Sequence, residues 1–207
     1  MAYAFSSLGR GADGEMTPMD RRAQTASSQA YWREAIGLSH LEFSLMGIPY
    51  DPTGGFSASL SLLPAPLSAS AIISFAGTDP SSWANWKANI GQGLFGRSSQ
   101  YDQAVRLAVD SSQALGGNVV FAGHSLGGGL ASAAAYATGA SAVTFNAAGL
   151  HSNYRTGAHG GIRAHYVRGD ILTTFQQWTP FPNAAGTPVS HSGQGGPIRR
   201  HGLASFP

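Results

Sequence analysis

Apolar and polar positions follow three different periods along this chain, and each period predicts a different element. From Met19 to Leu45, Ala23, Ala26, Ala30, Trp32, Ala35 and Ile36 recur at helical spacing, with Pro18 near the start and Gly37 as an interruption. One broken helix or two short ones is the expectation. Phe56-Ser57-Ala58-Ser59-Leu60-Ser61-Leu62 alternates with period two and predicts a strand, which Pro64 and Pro66 end. Short unbroken apolar runs at residues 71–76, 119–123 and 142–146 predict strands buried on both faces.

Helical spacing returns between these runs. Residues 81–90 carry Trp83, Trp86 and Ile90 on one face. Ser99-Gln100-Tyr101-Asp102 has the spacing of a capping box, and Tyr101, Ala104, Val105, Ala108, Val109 and Leu115 then point inward until Gly116-Gly117 closes the helix. A further helix follows Ser125 and stops at Gly139. Residues 163–168 alternate again and end at Gly169-Asp170, which predicts one more strand. From Ile171 onward Pro180, Pro182 and Pro188 make the chain read as loop, with a short strand near residues 187–190 and a terminal turn at 201–206. Residues 1–17 are rich in Gly and Ser and are expected to be loosely held. Strands alternating with helices predict an α/β fold: a mainly parallel sheet with helices on both faces, in one domain spanning residues 1–207.

Composition narrows the chemistry. A length of 207 residues suits one such domain. Charged residues are only 11% of the chain, and the clustered cations are limited to Arg21-Arg22 and Arg199-Arg200, so no nucleic-acid partner is implied. With no cysteine, disulfides and thiolate catalysis are ruled out. No apolar run reaches the length of a membrane span, and Met1-Ala2-Tyr3-Ala4-Phe5 lacks the pattern of a secretory signal. No H-E-x-x-H or C-x-x-C occurs, so neither a metal nor another cofactor is expected.

The chemistry concentrates at Gly123-His124-Ser125-Leu126-Gly127, a match to G-x-S-x-G between a strand-forming and a helix-forming run. Such a nucleophile elbow is too tight for side chains at its glycines, and it lifts the serine hydroxyl clear of the backbone. The helix start also leaves the Leu126 amide free to serve as an oxyanion donor. A neutral serine needs an imidazole to take its proton and a carboxylate to hold that imidazole. The only acidic residue after Ser125 is Asp170, just past a predicted strand; a helix cap or plain turn is the competing reading of it. Two histidines follow it. His191 lies in a Gly- and Ser-rich stretch, whereas Leu203 and Phe206 can anchor the segment of His201, which favours His201 as base and leaves His191 as the alternative. The remaining histidines read as surface or loop residues. A second oxyanion donor is expected at the end of the neighbouring strand, at Thr78.

Three blocks resemble the class 3 lipases, the fungal-lipase-like branch of the α/β-hydrolases: Ile73-Ser74-Phe75-Ala76-Gly77-Thr78-Asp79, Trp86-Lys87-Ala88-Asn89, and residues 119–129. The likeness is strong over residues 71–170 and weak beyond. It is similar above all to bacterial members, some of which serve as phospholipase effectors against rival cells. The resemblance implies hydrolysis of lipid esters by Ser125, Asp170 and His201, with oxyanion donors from Thr78 and Leu126. It also implies a lid after the first oxyanion residue, where this chain has Trp83, Trp86, Leu94 and Phe95; packing of Trp83 and Trp86 on the sheet is the competing reading. Further implications are a phospholipid substrate at a membrane surface and a cognate immunity protein for an effector; without a secretory signal, the expectation is delivery by a specialised secretion system or, otherwise, a cytoplasmic enzyme. Two places depart from the family pattern. Ala76 stands where an arginine is usual, and Gly169-Asp170-Ile171-Leu172 replaces a proline-containing run. A soluble carboxylesterase or thioesterase, and a non-catalytic binding module on the same scaffold, are the alternative functions.

Overall fold

The computed structural model describes residues 14–33, 37–64, 69–77 and 99–207. Two helices open the described chain, α1 (Pro18–Arg33) and α2 (Leu38–Leu45), followed by strands β1 (Ala58–Leu62) and β2 (Ala71–Phe75). Then come α3 (Ser99–Ala114), β3 (Val119–His124), α4 (Leu126–Thr138), β4 (Ser141–Phe145) and β5 (Gly161–Val167). Helix α5 (Ile171–Trp178), strand β6 (Thr187–His191) and the short helix α6 (Pro197–His201) complete the order.

The six strands form one sheet in which spatial order follows chain order. β1 pairs antiparallel with β2, and every later pair is parallel. The mainly parallel α/β expectation therefore holds. Period-two alternation decides which layer each strand residue serves. On one face Ile73, Phe75, Phe121 and Ala142 pack under Ala104, Leu107, Leu130 and Ala134 of α3 and α4. On the other, Ile72, Val120, Val143 and Phe145 receive Met19, Ala23 and Ala26 of α1.

Helix α1 starts at a reciprocal cap. The Asp20 amide donates to Thr17 Oγ1 over 3.2 Å, and the Thr17 amide donates to an Asp20 oxygen over 2.8 Å. Met16 and Thr17 are buried, so the chain is fixed earlier than its Gly-rich composition predicts; residues 1–13 lie outside the described residues. Trp32, counted at sequence level with the helical stripe, is exposed.

The larger difference lies after Asp170, where two helices replace the expected loop. Prolines at 180, 182 and 188 suggested irregular backbone, but they fall after α5 has ended. An eight-residue helix is marginal alone. Here the Asp170 cap and the burial of Leu172 against Ala148, Ile171 and Phe181 hold it. The parallel register aligns His124, Phe145 and His165 at the carboxyl edge of the sheet, and the elbow, Asp170 and Asn146 all follow that edge. Parallel α/β sheets gather their chemistry at this edge.

Candidate active site

Ser125 sits between β3 and α4 with φ 58° and ψ −125°, a left-handed conformation that a non-glycine residue adopts only under constraint. The constraint is visible on both sides. Its amide donates to the Phe145 carbonyl over 3.0 Å, and its carbonyl accepts from the Gly128 and Ala148 amides over 3.0 and 2.8 Å. A Cβ on Gly123 would strike the Gly127 backbone, and one on Gly127 would strike the Phe75 carbonyl. Both motif glycines are therefore steric requirements of the turn. Helix α4 opens with three glycines, each about 1 kcal/mol worse than alanine inside a helix. Their reward is close approach, since Gly128 packs on Ala147 and Gly129 on Tyr101. Leu126 occupies the first position of α4, so its N–H is one the helix cannot pair internally.

The candidate acid and base sit at the start of α5 and the end of α6. Asp170 is fully buried, and its Oδ1 accepts from His201 Nδ1 over 2.7 Å. Its Oδ2 accepts from the Thr173 amide and hydroxyl, both at 2.8 Å. One oxygen of the carboxylate thus caps the helix while the other holds the His201 ring. Burial pushes the Asp170 pKa upward, but the hydrogen bond and charge of His201, with the Thr173 bonds, outweigh it and hold the group below the usual range. A carboxylate can only accept, so Nδ1 of His201 carries the hydrogen and Nε2 presents the lone pair. Of the two candidate histidines, the structure brings His201 to Asp170.

Two further residues tie this pair to the elbow. Ring nitrogen Nε2 of His124 donates to the His201 carbonyl over 2.6 Å, which leaves Nδ1 to accept from the Tyr31 hydroxyl over 2.9 Å. That arrangement requires a neutral ring. Burial, with the nearby His201 charge, accordingly pulls the His124 pKa down to about 3. Asn146, just past β4 at φ 41°, donates from Nδ2 to the carbonyls of Arg200 and His201, both over 2.9 Å. Its Oδ1 accepts from the Val167 amide over 2.9 Å. One side chain therefore clamps the segment of the base to the strand that leads to the acid. Sequence reasoning passed over Asn146. The available signal was an asparagine directly after a buried strand, where a left-handed residue is tolerated.

His191 belongs to a different group. Its Nε2 donates to His165 Nδ1 over 2.8 Å, and His165 Nε2 lies 3.3 Å from Asp20, whose carboxylate also receives Arg163 at 2.9 Å. His165 is buried, contrary to the expectation of a surface or loop histidine, and His191, the alternative base, is buried beside it. The anchors expected around His201 are present. Phe206 packs edge-on against Phe145 and His191, and Leu203 packs on the same cluster.

Thr78, Trp83, Trp86, Leu94 and Phe95 lie outside the described residues. Gly77 lies beside the elbow: a Cβ on it would lie 2.7 Å from the His124 carbonyl and 3.3 Å from Ser125 Cβ. Among the described residues no group of His, Asp and Glu could hold a metal ion.

Sheet, elbow and the buried Asp-His pair define a lipase-like α/β protein. The family model for phospholipase-like proteins, the Tle-like phospholipase domain, matches residues 51–200, and the chain belongs to that family. It is similar to extracellular phospholipase A1 of Serratia liquefaciens, with 42% identity over 129 aligned residues covering 56% of this chain and 40% of the relative. The chain thus spans about two fifths of the curated relative it matches. In fold it is similar to the crystal structure of a triacylglycerol lipase from Penicillium expansum, with a TM-score of 0.54 at 16% identity over 92% of this chain and 90% of that one. A looser similarity, TM-score 0.40 at 20% identity over 63% of this chain and 27% of that one, is to extracellular lipase LipA of Serratia marcescens.

Proposed function

We propose that this protein is a serine ester hydrolase that removes an acyl chain from phospholipids through an acyl-enzyme. The observation that carries the reading is the buried 2.7 Å bond from His201 to Asp170, held to the elbow of Ser125 by His124. In this reading Ser125 Oγ attacks the ester carbonyl while its proton passes to His201 Nε2. Asp170 keeps the imidazole oriented and stabilises the imidazolium that forms. The Leu126 amide and the donor assigned to Thr78 receive the developing oxyanion. Collapse breaks the bond to the glycerol oxygen, which takes the proton from His201. Water then attacks the acyl-enzyme with His201 again as base, releasing the fatty acid and restoring Ser125.

Phospholipid as substrate is supported by family membership and by the name of the Serratia liquefaciens relative. That relative is called extracellular, which supports work outside the producing cell. Use as an effector, with delivery by a specialised system and a protective partner protein closing the cleft, rests on the resemblance of the three sequence blocks. No described helix is long and apolar enough to cross a membrane.

The test compares wild type with Ser125→Ala, His201→Ala and His191→Ala on a phospholipid carrying labelled acyl chains. Acyl release is expected to fall by roughly 10⁴-fold or more in the first two variants. His191→Ala is expected to retain activity wherever it remains folded. Undiminished release by folded Ser125→Ala would end the proposal.

A further inference from the structure

Helix α5 begins one residue after the acid, and its two faces differ. Leu172 and Gln176 point inward, and Gln176 Nε2 donates to the Ala147 carbonyl over 3.2 Å. Ile171, Phe175 and Trp178 stand at i, i+4 and i+7, which places them on one stripe. Ile171 at its start is partly buried against Leu172 and Ala148, and the rest faces outward: Phe175 is 42% exposed and Trp178 is 84% exposed. Phe181 extends it, its ring stacked on Phe175 at 5.4 Å. The neighbouring helix α6 packs against α5 and adds Ile198, 63% exposed, three residues before His201. Exposed aromatics and aliphatics thus border the helices that supply both members of the Asp-His pair.

The part of the chain that carries the stripe holds charge of nearly one sign. Residues 126–207 contain five arginines, no lysine and one acidic residue, Asp170. That single carboxylate is buried and bonded to His201. Of the arginines, Arg163 is paired with Asp20 and Arg155 donates to carbonyls at 150 and 183. Arg168 and Arg199 are exposed, one just before Gly169-Asp170 and the other next to Ile198. Neither α5 nor α6 carries an acidic residue. Tryptophan and phenylalanine on one helix, with exposed arginines on the segment before it and on the helix packed against it, match a membrane interface whose headgroups are negative.

We propose that the outward stripe of α5, with Ile198 and the flanking Arg168 and Arg199, seats the protein on an anionic phospholipid bilayer. The surface deepens the hydrolase reading and rests on it for the purpose of docking: a lipid held against α5 lies beside the helix that Asp170 caps. It draws on none of the aromatic residues expected to form a lid at 83–95.

Binding is measured in the Ser125→Ala background, so that docking is scored without turnover. The protein is sedimented with vesicles of phosphatidylcholine alone and of phosphatidylcholine mixed with phosphatidylglycerol. Binding is expected to the mixed vesicles and to weaken about tenfold in Phe175→Ala/Trp178→Ala. Arg199→Gln is expected to narrow the preference for the mixed vesicles. Leu45→Ala removes a side chain that is 77% exposed on α2, beside the opposite edge of the sheet, and is expected to change nothing. With Ser125 restored, the double variant is expected to lose about tenfold in vesicle hydrolysis and to keep its rate on a monomeric short-chain ester. Equal binding to both vesicle types, or unchanged binding by the folded double variant, overturns the proposal. An equal loss on the monomeric ester also overturns it, since the stripe would then be an acyl-chain subsite. Vesicle binding by a protein whose wild type releases no acyl chain would sink the hydrolase reading and leave the docking surface standing.

Discussion

At the scale of single residues, the site is organised by neutral imidazole as much as by carboxylate. His124 works as a donor to the His201 carbonyl and an acceptor from Tyr31, and the acceptor role vanishes if the ring takes a second proton. Its pKa is drawn down to about 3 by burial and the His201 charge, and that of His191 to about 4 by burial and the neighbouring His165. The unfolded chain protonates such rings near 6.5, so below that pH it binds protons that the native state refuses. Stability is therefore complete above about pH 6.5 and declines as the pH falls toward 4 and 3, at about 1.4 kcal/mol per pH unit for each histidine. The buried carboxylates Asp20 and Asp170, both held below their usual range, extend the loss to lower pH. His124→Gln keeps a donor for the His201 carbonyl and removes one titration. Urea unfolding at pH 7 and pH 5 is expected to show a stability difference smaller by about 2 kcal/mol in this variant than in wild type. An unchanged difference would mean that the ring is already charged in the folded protein.

At the scale of elements, the strands and the elbow were legible because their signals are local. Unbroken apolar runs bounded by glycine can be little else in an α/β chain, and G-H-S-L-G fixes the turn between two of them. Asp170 was legible by elimination, since no other acid follows Ser125. Helices α5 and α6 were not, because their stability is tertiary. Thr173 and Thr174 are poor helix formers, and only the bonds from Thr173 to Asp170 show why the helix starts there. Asn146 was missed for a related reason, as its three bonds reach residues up to 55 positions away. The two duties of Asp170 can be separated. Asparagine caps a helix as well as aspartate but cannot hold the same imidazole tautomer. Asp170→Asn is therefore expected to lower kcat by about 10⁴-fold while shifting the thermal midpoint only slightly. Loss of folding along with activity would show that the carboxylate charge matters more to the fold than the cap does.

At the scale of the whole molecule, a net charge of +2 hides an uneven division. Residues 1–125 hold seven basic and nine acidic side chains, whereas residues 126–207 hold five and one. Acid, base and the exposed stripe all come from the basic part. Raising the ionic strength from about 0.01 to about 1 M shortens the reach of a charge from about 30 to about 3 Å. Hydrolysis of anionic vesicles is expected to fall steeply across that range, while hydrolysis of an uncharged monomeric ester stays level. Matching declines for both substrates would place the salt effect in the chemistry and not in the encounter.

The strands lie side by side in the sequence in which they are translated, and His201 follows the last of them. On the proposed roles, an emerging polypeptide completes its elbow and its acid before the imidazole assigned to deprotonate Ser125. A chain cut off before α6 is then expected to release no acyl group. For a protein whose proposed target is the material of every cell's own envelope, that timing is a safeguard written into the topology.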